Sequence, residues 1–227
     1  MGTTHAAGWA AAGGDGLPKP ELVGLVAETV EEAGPLATQT GARIYPRLAD
    51  MLPEVDVVDV CTPTHLHHEM VLQAAAAGKQ IICEKPLART VTEARQMVQA
   101  CRAAGVHLLV AHVVRFFPEY ALAKAAVAED QIGRLGVLRL HRGSYRPKKP
   151  VGNWFLDESK SGGILMDLMI HDYDYARWIA GDVQTVYARR VSTHHPQASI
   201  DYGLVILTHK NGALSHIAGA WAYPPPT

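Results

Sequence analysis

The chain has 227 residues, 48% apolar and 19% charged, enough to bury one large core or two modest ones. Its 21 basic and 22 acidic residues nearly cancel, and no long basic stripe could neutralise a track of phosphates, which argues against nucleic acid as the main partner. No apolar run approaches the roughly 18 residues of a membrane-spanning helix, and the Ala- and Gly-rich opening Met1 to Gly14 lacks the basic n-region of a signal peptide.

The first half alternates strand-like and helix-like segments, the signature of βαβ units and a parallel sheet. Gly2-Thr-Thr-His-Ala-Ala7 stands where a phosphate-binding turn would precede a helix, although a flexible chain start reads the same way. Thr4 occupies the position where that fingerprint wants its second glycine. The apolar run Glu21 to Glu28, bounded by Pro20, predicts a buried strand, and Glu28 closes it 21 residues past Ala7. That distance suits a carboxylate on the adenosine ribose hydroxyls. Ala49 to Leu52 reads as helix, Asp56 to Cys61 as strand, and His67 to Ala77 as a helix closed at Gly78. Gln80 to Cys83 is the next strand. Thr90-Val-Thr-Glu93 is a capping box opening a helix to about Ala104, and after Gly105 the segment Val106 to Ala111 is a strand.

Beyond Arg115 the pattern changes. Pro118 opens a helix running to about Asp130, since proline in a first turn gives up no hydrogen bond. Val137 to Tyr145 alternates as a strand, and Gly163 to Ile179 has helical spacing. The basic group Arg142, Arg146, Lys148, Lys149, beside Pro147 and Pro150, reads as a solvated loop. Val186 to Ser192, Ile200 to Thr208 and Ala213 to Ala222 read as strands, the last two joined through Asn211-Gly212, whose residues both tolerate positive φ. The second half is therefore expected to be an antiparallel sheet with helices against it.

Four segments carry chemistry. Asp59-Val-Cys-Thr-Pro-Thr-His-Leu-His-His-Glu69 leaves a strand for a helix and puts Thr62, Pro63 and Thr64 at the carboxyl edge of the sheet, where such folds bind ligands. His65-x-His67 also resembles a metal-binding pair, but a metal-dependent barrel needs further strand-end ligands that the pattern does not offer, so no metal is expected. Glu84-Lys85-Pro86 follows a buried strand, so the lysine either polarises a substrate oxygen at a crevice or is a surface residue beside a helix entry. Pro86 could be cis. In Gly162-Gly-Ile-Leu-Met-Asp167-Leu-Met-Ile-His171-Asp-Tyr-Asp174, Asp167 and His171 stand four apart, one face of a helix. They form either an acid-supported general base or a satisfied core histidine. Cys61, Cys83 and Cys101 show no C-x-x-C spacing, so reduced thiols in a cytoplasmic protein are expected.

Taken together, the TPTHLHHE, EKPLA and GG-x3-D-x3-H-x2-D segments, with Val113-Val-Arg115-Phe-Phe-Pro118 opening the second half, resemble the Gfo/Idh/MocA oxidoreductase family. The resemblance spans Gly2 to about Tyr223. It implies a Rossmann-like NAD(P)-binding domain over residues 1–114 and an α+β domain over 115–227 that binds substrate and forms homo-oligomers through its open sheet. It implies Lys85, Asp167 and His171 at catalytic positions. It also implies cofactor contacts along Gly2, Thr3, Thr4, His5 and Ala6, at Glu28, at Thr62 to Thr64 and His67, and at Glu84 and Lys85. Arg115 and Trp154 join Lys85, Asp167 and His171 as substrate-pocket residues. The implied reaction is hydride transfer between a nicotinamide and a secondary alcohol of a sugar, cyclitol or related polyol. Redox-cycling hydrolysis or elimination with held NAD, and an inactive cofactor-binding scaffold, are the alternatives. Glu28 favours NAD over NADP, because a carboxylate repels a 2′-phosphate. Family members begin with an apolar strand before the glycine turn and usually run roughly a hundred residues further, so the resemblance implies a chain cut short at both ends.

Overall fold

A computed structural model of the protein describes residues 1–14, 16–148, 153–192 and 201–224. They fall into two compact units, Met1–Ala111 and His112–Thr227. Among the described residues, no helix is long and apolar enough to cross a membrane.

The first unit runs α1 (Gly2–Ala11), β1 (Gly24–Leu25), α2 (Val30–Thr40), β2 (Arg43–Ile44), α3 (Leu48–Met51), β3 (Val57–Val60), α4 (His67–Ala76), β4 (Gln80–Glu84), α5 (Val91–Ala104) and β5 (Leu108–Ala111). Its strands form two separate parallel ladders, β1-β2 and β3-β4-β5. Val58, Val60, Ile81 and Cys83 alternate inward and bury against Val71 and Ala74 of α4 and Met97 and Cys101 of α5. The capping box forms as its sequence requires: Thr90 Oγ1 accepts from Glu93 N at 3.1 Å, and Glu93 Oε2 accepts from Thr90 N at 3.0 Å. Gly78 and Gly105 stop α4 and α5 at φ +70° and +68°.

Two expectations change in this unit. The Gly2–Ala7 segment is not a turn but the first turns of α1, with Thr4 N and His5 N donating to Met1 O at 2.8 and 3.0 Å. The strand expected from Glu21 to Glu28 shortens to Gly24–Leu25, because its only ladder among the described residues is two positions of β2. Glu28 therefore sits in a bend beyond the strand, exposed, beside the N-cap Thr29 of α2.

The second unit runs α6 (Pro118–Ala128), β6 (Val137–Tyr145), α7 (Glu158–Ser161), α8 (Gly163–Asp167), α9 (Ile170–Ala180), β7 (Val183–Val191), β8 (Tyr202–His209) and β9 (Leu214–Tyr223). The sheet order is β6-β9-β8-β7. It is mainly antiparallel, as expected, with one parallel pairing, that of β6 with β9. Ile164, Met169, Ala176, Val205, Leu207, Ile217 and Trp221 form the core between the helices and one face of the sheet. Between β8 and β9 only Gly212 takes positive φ, and Gly212 N donates to His209 O at 2.9 Å. The turn is thus a wider loop with glycine in the left-handed position, not a two-residue turn with both central residues at positive φ.

The helical stretch expected from Gly163 to Ile179 is broken at Leu168 and Met169. The break rests on a pair of glycines, Gly203 and Gly219, opposite each other on β8 and β9. A Cβ at Gly219 would lie 2.4 Å from Met169 Cγ, and one at Gly203 would lie 2.8 Å from Met169 Sδ. The absent side chains let Met169 seat directly on the sheet.

Candidate active site

In the first unit, the carboxyl ends of β3 and β4 are locked to each other through one ring. His67, 1% exposed, places Nδ1 3.0 Å from Pro86 O and Nε2 2.9 Å from Thr62 O. The Thr62–Thr64 segment and the Glu84–Pro86 segment, separate motifs in sequence, thereby share one edge. The Lys85–Pro86 bond is cis. His67 is buried among backbone carbonyls and His65 is exposed, so the two do not act as an ion-binding pair, and His67 is scaffold rather than a surface for cofactor. Thr64 is also buried, whereas Thr62 and Pro63 are half-buried and face the edge.

Glu84 is 5% exposed; Oε2 accepts the Lys85 backbone N–H at 3.0 Å, and Oε1 lies 2.9 Å from His5 Nε2. His5 Nδ1 lies 3.0 Å from both Asp59 oxygens, and Trp9 Nε1–H donates to Asp59 Oδ2 at 2.7 Å. Burial first, then the charges of Glu84 and Asp59, push the Cys83 thiol up to about 12. Burial and Asp59 push Cys61 up further still. These thiols stay protonated at neutral pH and are not nucleophiles. Thr3 and Thr4 are exposed on the first turn of α1, Gly2 is half-buried and Ala6 is buried.

Beyond β1 and β2 lies a cleft of about 400 Å³ that sequence patterns did not reveal, lined by apolar Val26, Leu48, Leu66 and Met70 and by polar Arg47, Glu69 and Gln73. Its lining comes from loops after β1 and β2 and from the start of α4, so no local spacing announces it. A cleft of this size and mixed lining, with Val26 two residues from the exposed Glu28, has room for a flat aromatic ring with a hydroxylated sugar beside it. The exposed Glu28 carboxylate and the half-buried Thr62 hydroxyl are groups suited to the ribose and phosphates of an adenine dinucleotide.

In the second unit, Asp167 ends α8 with 8% exposure and His171 lies in the first turn of α9, half-buried. They flank the Met169 break rather than sharing one helix face. Asp172 next to His171 is buried and takes a bidentate contact from Arg142 of β6 at 2.8 and 3.0 Å. Burial lowers the Arg142 pKa, but the Asp172 hydrogen bond and charge outweigh it and leave the guanidinium raised. Arg142 is thus a core cross-link and not part of a solvated loop; Lys149 and Pro150 of that basic stretch lie outside the described residues. Arg115 is likewise engaged, bidentate to Asp174 at 2.7 and 2.6 Å and 5.5 Å above the Trp178 ring, which makes it a structural clamp on α9 more than a pocket residue. Trp154 is half-buried and stacks on Phe155 at 4.0 Å.

The chain is similar to known proteins over both units. Residues 1–112 match the oxidoreductase family with an NAD-binding Rossmann fold, and residues 120–227 match the GFO/IDH/MocA C-terminal domain. Levoglucosan dehydrogenase from Pseudarthrobacter phenanthrenivorans is 36% identical over 216 residues, covering 89% of this chain and 54% of that protein. Myo-inositol 2-dehydrogenase from Thermotoga maritima is 36% identical over 170 residues, covering 73% and 49%. The chain spans about half the length of the curated relatives it matches. Among solved structures, GenD2 from gentamicin A biosynthesis, in complex with NAD, superposes with a TM-score of 0.91 at 28% identity over 100% of this chain and 64% of that one. Levoglucosan dehydrogenase in complex with NADH and levoglucosan gives 0.88 at 29% identity over 98% and 65%. With family models matching both halves, the chain belongs to the Gfo/Idh/MocA family of NAD-binding oxidoreductases.

Proposed function

We propose that this protein transfers a hydride between NAD and a secondary alcohol of a sugar, cyclitol or related polyol. The observation that carries the reading is the His67 ring, which ties the Thr62–Thr64 edge to the Glu84–Lys85–Pro86 turn and presents Lys85 where parallel α/β sheets bind their ligands. Bound NAD supplies the redox chemistry. Thr62 and Pro63 line its path and Glu28 takes the ribose hydroxyls, disfavouring NADP. Lys85 orients the substrate hydroxyl with its ammonium, His171 takes the hydroxyl proton as general base, and Asp167 holds the imidazole. No metal enters these steps. Residues 1–114 serve the cofactor and 115–227 the substrate. The helix-free face of the second sheet exposes Val137, Leu214, Tyr187 and Val191, which supports a homo-oligomer formed through it. Three free thiols, two of them buried, suit the reducing cytoplasm.

The test is absorbance of reduced nicotinamide, with NAD offered alongside levoglucosan, myo-inositol and a panel of sugars. Net formation of NADH is expected, and Lys85→Ala and His171→Ala should each lower turnover by roughly a hundredfold while NAD binding persists. Product release without net NADH would replace dehydrogenation with redox-cycling hydrolysis. Near-normal turnover of Lys85→Ala would leave that lysine a structural element of the turn.

A further inference from the structure

Helix α1 and the ends of β3 and β4 meet in a chain of contacts with no role in the steps above. It runs from Trp9 to Asp59 at 2.7 Å, from Asp59 to His5 at 3.0 Å, from His5 to Glu84 at 2.9 Å, and from Glu84 to the Lys85 backbone N–H at 3.0 Å. Each ring nitrogen of His5 faces a carboxylate oxygen. An ionised carboxylate only accepts, and a neutral imidazole has one N–H to give, so both contacts are satisfied together only when both nitrogens carry protons. The site has reason to hold that cation, because a carboxylate as buried as Glu84 persists in charged form only when paired and hydrogen-bonded. Titratable groups beside the cluster include Lys85, next to Glu84, the Cys61 and Cys83 thiols, which burial keeps protonated, and the α-amino group of Met1, whose charge reaches Cys61.

We propose that His5 is a positioning residue: as an imidazolium bridging Asp59 and Glu84, it fixes the Glu84 carboxylate and, through it, the Lys85 turn at the end of β4. Its value to catalysis rests on the reading of Lys85 given above; the bridge itself does not. A rival occupies the same atoms, since donor atoms of His5, Asp59 and Cys61 all lie within 4.8 Å of one another, a nitrogen, oxygen and sulfur set of the kind zinc takes. The hydrogen bonds favour the bridge. Both ring nitrogens and both Asp59 oxygens are already engaged, Cys61 itself directing its thiol at Asp59 Oδ1 at 3.5 Å, and zinc would need that thiol as thiolate.

Nitrogen-15 NMR of the ligand-free protein tests it, with the His5 ring identified by its loss in His5→Gln. Both ring nitrogens should appear protonated at neutral pH, and Glu84→Gln should release one of them. Added Zn²⁺ or Co²⁺ should leave the ring signals unchanged. His5→Gln carries no charge and its single amide nitrogen replaces at most one of the two ring nitrogens, so kcat should fall by about ten- to a hundredfold, the value of a charge-assisted hydrogen bond. KM for the polyol should move less than about threefold. A bare nitrogen on His5 at neutral pH overturns the bridge, and a cobalt–thiolate absorption band that disappears in Cys61→Ser replaces it with a metal site. Wild-type kcat in His5→Gln overturns the positioning role. If no polyol supports turnover in the wild-type protein while the doubly protonated ring is seen, the proposed reaction fails and the bridge stands.

Discussion

The two regions that carry the candidate chemistry are held in place by different physics. At the end of β4, the Lys85 turn is fixed by polar groups: His67 spans two backbone carbonyls, and Glu84 spans His5 and the Lys85 N–H. In the second unit, the break between Asp167 and His171 is set by shape, because Met169 settles onto two glycines and divides one helix into α8 and α9. The Arg142–Asp172 pair adds a polar constraint beside His171. Hydrogen-bonded placement is directional and fails when one partner is lost; packed placement fails when volume is added.

The largest effect expected from breaking this contrast is at the Arg142–Asp172 pair. Arg142→Ala would leave Asp172 buried with its cation gone, a loss of about 3–5 kcal/mol. Denaturant unfolding should show it. Since Trp154, Trp178 and Trp221 all belong to the second unit and Trp9 to the first, near-ultraviolet probes should register the change in the three and spare the one. A uniform shift of all four would mean that the two units unfold as one.

Gly219→Ala comes next. The new methyl would lie 2.4 Å from Met169 Cγ, so Met169 must rise from the sheet, and overpacking of this kind costs about 1–3 kcal/mol. Gly219→Ala combined with Met169→Ala should recover part of the loss if the clash is the cause. Stability of the single variant equal to that of the parent protein would show that the α8–α9 break does not depend on the glycine pair.

A smaller effect belongs to the polar region. Cys83 has a folded-state pKa raised from 9.0 to about 12. The folded protein therefore keeps a proton that the unfolded chain gives up, and the stabilisation is complete below pH 9.0 and lost as pH rises toward about 12. In Cys83→Ala the decline of stability across that window should be shallower, as measured by denaturant midpoints at stepped alkaline pH. An identical slope would place the alkaline loss elsewhere.

Much of this was written locally in the chain. The Thr90–Glu93 box, the stops at Gly78 and Gly105, Pro118 at a helix start and the alternation of Val137–Tyr145 each depend on residues a few positions apart, and each appears where its pattern puts it. The motif segments also lie at the sheet edge and helix starts that their flanking patterns imply. What local spacing missed has a common cause. The helical period of Gly163–Ile179 could not show a break imposed by glycines some 35–50 positions later on β8 and β9. The charge of Arg142 and Arg115 read as solvated or ligand-facing because their partners, Asp172 and Asp174, are distant in sequence.

The sequence alone determined the family, the parallel order of the first unit, the strand-rich second unit and the identities of the residues proposed for chemistry, because periodicity, caps and short motifs are properties of neighbours along the chain. Only the tertiary structure decided that β6 lies parallel to β9, that Gly2–Ala7 is helix, that a cleft opens beyond β1 and β2, and that His5 stands between two carboxylates. Those features arise where strands and helices far apart in sequence come within a hydrogen bond or a van der Waals radius, and no spacing within one segment records that approach.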